Sequence, residues 1–117
     1  MKYALLVYSI PGAHDDLPED ERNAIYGEYV ALTQDPRCVA TAQLEPISTA
    51  TTVRRDNGQR LVTDGPFADT KEFFGGYYVV EADNLDQAIE WADRIPTVRL
   101  GGAVEVRPVI DHPGAEG

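Results

Sequence analysis

Tyr3-Ala4-Leu5-Leu6-Val7-Tyr8 carries no charged residue and is apolar at both parities. Successive side chains of a strand point to opposite faces, so Tyr3, Leu5 and Val7 share one face and Ala4, Leu6 and Tyr8 the other. A strand apolar on both faces is covered on both, which places it in the middle of its sheet. Tyr77-Tyr78-Val79-Val80-Glu81 repeats the pattern and supplies a second central strand. The other segments are arranged around these two.

Moving outward, Ser9 to Asp16 is a loop marked by Pro11-Gly12. Pro18-Glu19, with acids in the first turn, opens a helix of roughly 18–33 whose Ile25, Tyr29 and Leu32 face the core. It ends before Asp35-Pro36. Val39 to Pro46 is a strand that Pro46 demotes to an edge or bulge at its end. Thr49 to Arg55 and Gln59 to Thr63 flank Asp56-Asn57-Gly58, a hairpin signal because Asn-Gly supplies the positive φ of a tight turn. Gly75-Gly76 predicts a bulge or a close backbone approach. Asn84 with Gln87 makes a capping-box-like helix start. Leu85, Ala88, Ile89, Ala92 and Ile95 form an inward stripe with Trp91 at its edge, and Pro96 stops the helix. Ala103 to Val109 is the last strand, Val104 and Val106 pointing one way and Glu105 and Arg107 the other.

This order is an α+β, ferredoxin-like βαββαβ sandwich with an inserted β-hairpin and two helices on one face of an antiparallel sheet. Residues 1–110 form a single domain, and 111–117, including His112, a flexible tail. Both helices cover one face while the central strands are apolar on both. The second face therefore predicts a homodimer packed sheet to sheet.

Composition narrows the function. Twenty acidic residues against ten basic give a net charge of −10, which repels phosphate backbones and argues against nucleic-acid binding. The lone Cys38 forms no internal disulfide, and no Cys/His spacing implies a metal or other cofactor. No stretch approaches the ~20 apolar residues of a membrane span, and no signal peptide is read after Met1-Lys2, so a cytoplasmic protein is expected.

The chemistry concentrates at Arg60-Leu61-Val62-Thr63-Asp64-Gly65-Pro66-Phe67-Ala68-Asp69-Thr70-Lys71-Glu72. Gly65-Pro66 forces a turn after Asp64 and leaves its carboxylate at a strand end, with Phe67 as a buried anchor and Thr70, Lys71 and Glu72 following. One reading is a pocket for a small polar or anionic metabolite. Asp64 is its acid or base, with a pKa raised by burial beside Phe67. Lys71 and Arg107 clamp an anionic group, and Tyr8, Glu72 and Glu105 complete the polar lining. That set suits proton abstraction or elimination. The other reading is a non-catalytic, ligand-binding or regulatory dimer in which Asp64, Lys71, Glu72 and Arg107 form a salt-bridge network. His14, beside Asp15 and Asp16, is an acid–base candidate held by a carboxylate, or a solvated loop histidine with nothing nearby to desolvate it.

Val62 through Glu72 resembles the signature of the YCII-related family, in the branch named for its Asp-Gly-Pro-Phe motif. The similarity continues through Gly75-Gly76-Tyr77-Tyr78-Val79-Val80, Leu85-Asp86-Gln87-Ala88-Ile89-Glu90-Trp91-Ala92 and Val104-Glu105-Val106-Arg107-Pro108-Val109. The resemblance implies a ferredoxin-like dimeric α/β barrel. It also implies acid–base work by a first-helix histidine with an aspartate, one branch being dehydrochlorinase-like. Here the first helix has Tyr26 and Tyr29 but no histidine, and His14 precedes it. Labels in this branch that refer to sigma factors imply a regulatory partner instead.

Overall fold

The computed structural model describes residues 1–67 and 71–111. Its elements are β1 (Lys2–Ser9), α1 (Glu19–Leu32), β2 (Cys38–Gln43), β3 (Thr51–Asp56), β4 (Gln59–Asp64), β5 (Phe73–Glu81), α2 (Leu85–Asp93), α3 (Pro96–Arg99) and β6 (Ala103–Pro108). Four strands form an antiparallel sheet in the order β2-β5-β1-β6, the ferredoxin-like arrangement. As the parity of Tyr3 to Tyr8 demands, β1 and β5 are the inner pair, with Leu5 opposite Tyr78 and Tyr3 opposite Val80. His112 and the rest of the expected tail beyond residue 111 lie outside the described residues.

The core sits between the helices and one face of this sheet. Tyr3, Leu5, Val7, Tyr78 and Val80 meet Leu32, Ala88, Trp91, Ala92 and Ile95, and Leu5, Val80 and Ile95 are fully buried. Each such aliphatic side chain contributes about 1.5–3 kcal/mol by leaving water. α2 starts as its sequence predicts: the Asn84 side chain accepts from the Gln87 N–H at 2.9 Å, and Gln87 Oε1 accepts from the Asp83 N–H. Its inward stripe differs from the expectation. Leu85 and Ile89 are each 48% exposed, whereas Trp91 is 3% exposed and central. Ala88 and Ala92 let the helix approach closely, and the indole fills the space beside them. Pro96 does not only stop α2; its fixed φ suits the first position of α3, the one-turn helix that follows.

The Trp91 indole donates to Asp35 Oδ2 at 3.0 Å, and Arg94 donates to the same oxygen at 3.1 Å. The Arg37 backbone N–H, foremost, and then the Arg94 and Trp91 hydrogen bonds hold the Asp35 carboxyl below its usual 3.8 against the burial that raises it. A carboxyl depressed on folding adds stability above its unfolded pKa and loses it as pH falls through the folded one. Acid unfolding is therefore expected to steepen below pH 3.8, and Asp35→Asn to flatten that limb in denaturation curves taken across the window.

At Gly76 the backbones of β5 and β2 nearly touch. A Cβ there meets the Ala42 carbonyl oxygen at 2.6 Å, while one at Gly27, on the exposed side of α1, meets nothing within 4 Å. Gly76→Ala is expected to cost about 1–3 kcal/mol, and Gly27→Ala to gain about 0.5–1 kcal/mol, both read by chemical denaturation.

The hairpin β3–β4 forms a sheet of its own. Asn57 (φ 51°) and Gly58 (φ 79°) make its tip, as the tight-turn signal requires. The radius of gyration is 16.3 Å, against about 13 Å for a compact chain of this length.

Candidate functional site

β1 ends at Ser9, and the chain then curls over its carboxyl end through three successive turns. Ala13 N–H donates to Ile10 O, Asp15 N–H to Gly12 O, and Leu17 N–H to His14 O, at 3.0–3.2 Å. Gly12 adopts φ 77°, and a Cβ there is 3.1 Å from the Asp15 carboxylate. That position needs both the conformational freedom and the small size of glycine. The curl closes one side of a cavity of about 440 Å³, within the range that holds small organic ligands.

Every wall has a structural origin. Val7 and Tyr78, from the helix-side face of the two central strands, make the base, and Tyr26, Tyr29 and Val30 descend from α1, with Thr33 just past its end. The end of β2 and the start of β5, with Phe73, make the far side, and His14 and Asp15 stand on the loop side. His14 is half-buried, and it shares a second, small void with Tyr29 and Thr97. The neighbours absent from its local sequence arrive from α1 and α3.

The polar groups here are ordered. Tyr29 Oη and Thr97 Oγ1 are 2.6 Å apart, Thr97 is 3% exposed, and Tyr78 Oη donates to the Tyr29 carbonyl at 3.2 Å. Burial is the main cause that raises the Tyr29 phenol above its ordinary value, with the Thr97 hydrogen bond opposing it. Tyr78 is pushed up to about 12, by burial first and then by Tyr29 and Cys38. Both phenols are neutral near pH 7, so they bind and orient through hydrogen bonds. Imidazole is the side chain suited to exchanging protons in that range. Arg99 of α3 is doubly hydrogen-bonded to Glu28 of α1, which braces the helix carrying Tyr29 against the segment carrying Thr97.

Of the residues named from the Asp-Gly-Pro-Phe bend, Asp64, Phe67, Lys71 and Glu72 are described, and none of these four lines the cavity. Asp64 is exposed at the end of β4, opposite Thr51. Its bend closes the ribbon: the Gly65 N–H donates to Ala50 O at 2.8 Å, and Thr52 Oγ1 donates to Gly65 O at 2.7 Å. Phe67, expected as a buried anchor, is 73% exposed, with the Arg54 guanidinium 5.2 Å above its ring. Lys71 is exposed and Glu72 half-buried just before β5, while Ala68, Asp69 and Thr70 lie outside the described residues. Tyr8 packs on Phe74 with ring centroids 5.6 Å apart. Glu105 and Arg107 are exposed on β6 opposite Leu6 and Ala4, so with Tyr8 they share the helix-free face. The salt bridges found among the described residues are Met1–Glu81, Arg94–Asp35 and Arg99–Glu28, and none includes Asp64, Lys71 or Arg107. No three His, Cys, Asp or Glu gather as a metal-ligand set, and no helix is long and apolar enough to cross a membrane, among the described residues.

A family model, the YCII-related domain, matches residues 1–113. An uncharacterised protein of Rhizobium meliloti (strain 1021) is 35% identical over 118 residues, spanning 93% of this chain and 92% of its own. Among solved structures, 5-chloro-2-hydroxyhydroquinone dehydrochlorinase (TftG) from Burkholderia phenoliruptrix AC1100, in complex with 2,5-dihydroxybenzoquinone, superposes with a TM-score of 0.55. That likeness covers 96% of each chain at 16% identity, and it is a likeness of fold.

Proposed function

Given that the chain belongs to the YCII-related family, we propose that it binds a small polar ring compound, of phenol or quinone type, in the cavity beneath α1, and that His14 moves a proton there. The observation that carries this reading is the half-buried His14 on the wall of an aromatic-sided cavity, next to the Tyr29–Thr97 pair. Tyr26, Tyr29, Phe73 and Tyr78 offer ring faces and edges to a planar ligand. Within the Tyr29–Thr97 pair one hydroxyl donates to the other, and the remaining O–H can donate to oxygen that gains negative charge. Elimination fits these parts: His14 removes a proton, the freed electron pair forms the double bond, and the leaving group departs as an anion. The fold neighbour named as a dehydrochlorinase supports that reaction class. The working unit is a homodimer, packed through the helix-free face that carries Leu6, Tyr8, Tyr77 and Val79.

The test is a thermal-shift titration with 2,5-dihydroxybenzoquinone and simple hydroxyphenols. A ligand at a hundred times its Kd is expected to add about 2.7 kcal/mol of stability. No saturable shift with any ring compound overturns the reading.

A further inference from the structure

We propose that the β3–β4 ribbon is an arm that docks on a second copy of this chain, its arginines against that copy's acidic surface. The inference rests on the homodimer proposed above and adds a second contact to it. In the ribbon's register Val53 lies opposite Val62 and Arg55 opposite Arg60, all four on one face. Val53 is 64% exposed and Val62 53%. The other face exposes Leu61 beside the Arg54–Phe67 stack. A two-stranded ribbon without a packed face is marginal in water, and this one pairs with no strand of the main sheet. Apolar residues on both of its faces need a cover.

Charge identifies the cover. The ribbon holds three arginines, Arg54, Arg55 and Arg60, against Asp56 and Asp64, in a chain whose net charge is −10. Arg55 and Arg60 sit directly opposite each other, a placement that is unfavourable alone and relieved by an anionic surface. Asp15, Asp16, Glu19, Asp20 and Glu21 are all exposed and form the densest acidic stretch of the chain. The excess of acid over the rest of the protein repels a nucleic-acid backbone but attracts a basic arm of its own kind. Asp15 also lines the cavity, so an arm seated there stands at the partner's binding site.

Sedimentation equilibrium on wild type, Arg55→Glu/Arg60→Glu, Glu19→Lys/Glu21→Lys and the combined four-fold variant tests this, with circular dichroism confirming that each folds. Each double variant is expected to weaken dimerisation by about tenfold at low salt, and the combination to recover most of the loss. Hydrogen exchange on the wild type supplies a reading free of substitutions: amides in 51–64 and 15–21 gain protection as concentration is raised through the dimer range. A dimer whose constant ignores both double variants and whose ribbon gains no protection overturns the arm while leaving the dimer intact, even if the ribbon retains heparin. A wild type that stays monomeric at every concentration overturns the dimer and the arm together.

Discussion

Trp91→Ala is expected to destabilise the protein by about 3–5 kcal/mol, the range for deleting a buried aromatic from a core. A domain of this size has only about 5–15 kcal/mol to lose. Three contacts go at once. The ring is 5.1 Å from Tyr78, centroid to centroid and tilted by 60°; the Arg94 guanidinium lies 5.7 Å above it; and the indole N–H holds Asp35. Trp91→Phe keeps an aromatic in the space and loses the hydrogen bond, so about 1–2 kcal/mol is expected. Asp35 then retains Arg94 and the Arg37 N–H. Urea denaturation of the two variants separates packing from hydrogen bonding. Equal losses would mean that the indole N–H carries the contribution and the packing little.

The second large effect is chemical. With a ring substrate that the protein turns over, His14→Ala is expected to lower kcat by about 10²–10⁴, the usual contribution of a positioned acid–base group. Its melting temperature should move little, because His14 lies on a cavity wall and outside the core cluster. Tyr29→Phe, which breaks the Thr97 contact, is expected to cost less in kcat and more in ligand affinity. If His14→Ala binds and turns over as the wild type does, the imidazole is not the proton carrier. Saturable binding with no turnover by the wild type makes the protein a ligand-binding module.

The sheet was legible because its signals are local. Double-sided apolarity marked β1 and β5, Asn57-Gly58 marked the ribbon tip, and Asn84 with Gln87 marked the start of α2. What escaped depends on residues distant in the chain. Trp91 reads as peripheral on a helical wheel, and its centrality comes from Ala88 and Ala92, whose small size is a weak signal. His14 reads either as an acid–base group beside Asp15 and Asp16 or as a solvated loop residue, and the turns that bring it beside Tyr29 and Thr97 leave no local signal. The polar residues around Asp64 are plain in the sequence, but their place relative to the helices depends on register. Parity held that information: Tyr8 alternates with Val7, so only one of them can face the helices, and the cavity lies on Val7's side. Glu105 and Arg107 follow Tyr8 to the opposite face through their register with β1. An Asp-Gly-Pro-Phe bend also serves equally well to close a ribbon, and nothing within it distinguishes the two uses.

We place the proposed site at His14, beneath α1, rather than at the Asp64 bend. Amide chemical-shift mapping during titration with 2,5-dihydroxybenzoquinone tests it directly. Saturable shifts are expected in 9–15, 26–33, 41–44 and 73–78 and around Thr97, the segments that wall the cavity. Shifts centred on Asp64, Lys71, Glu105 and Arg107, with the cavity segments silent, would contradict it.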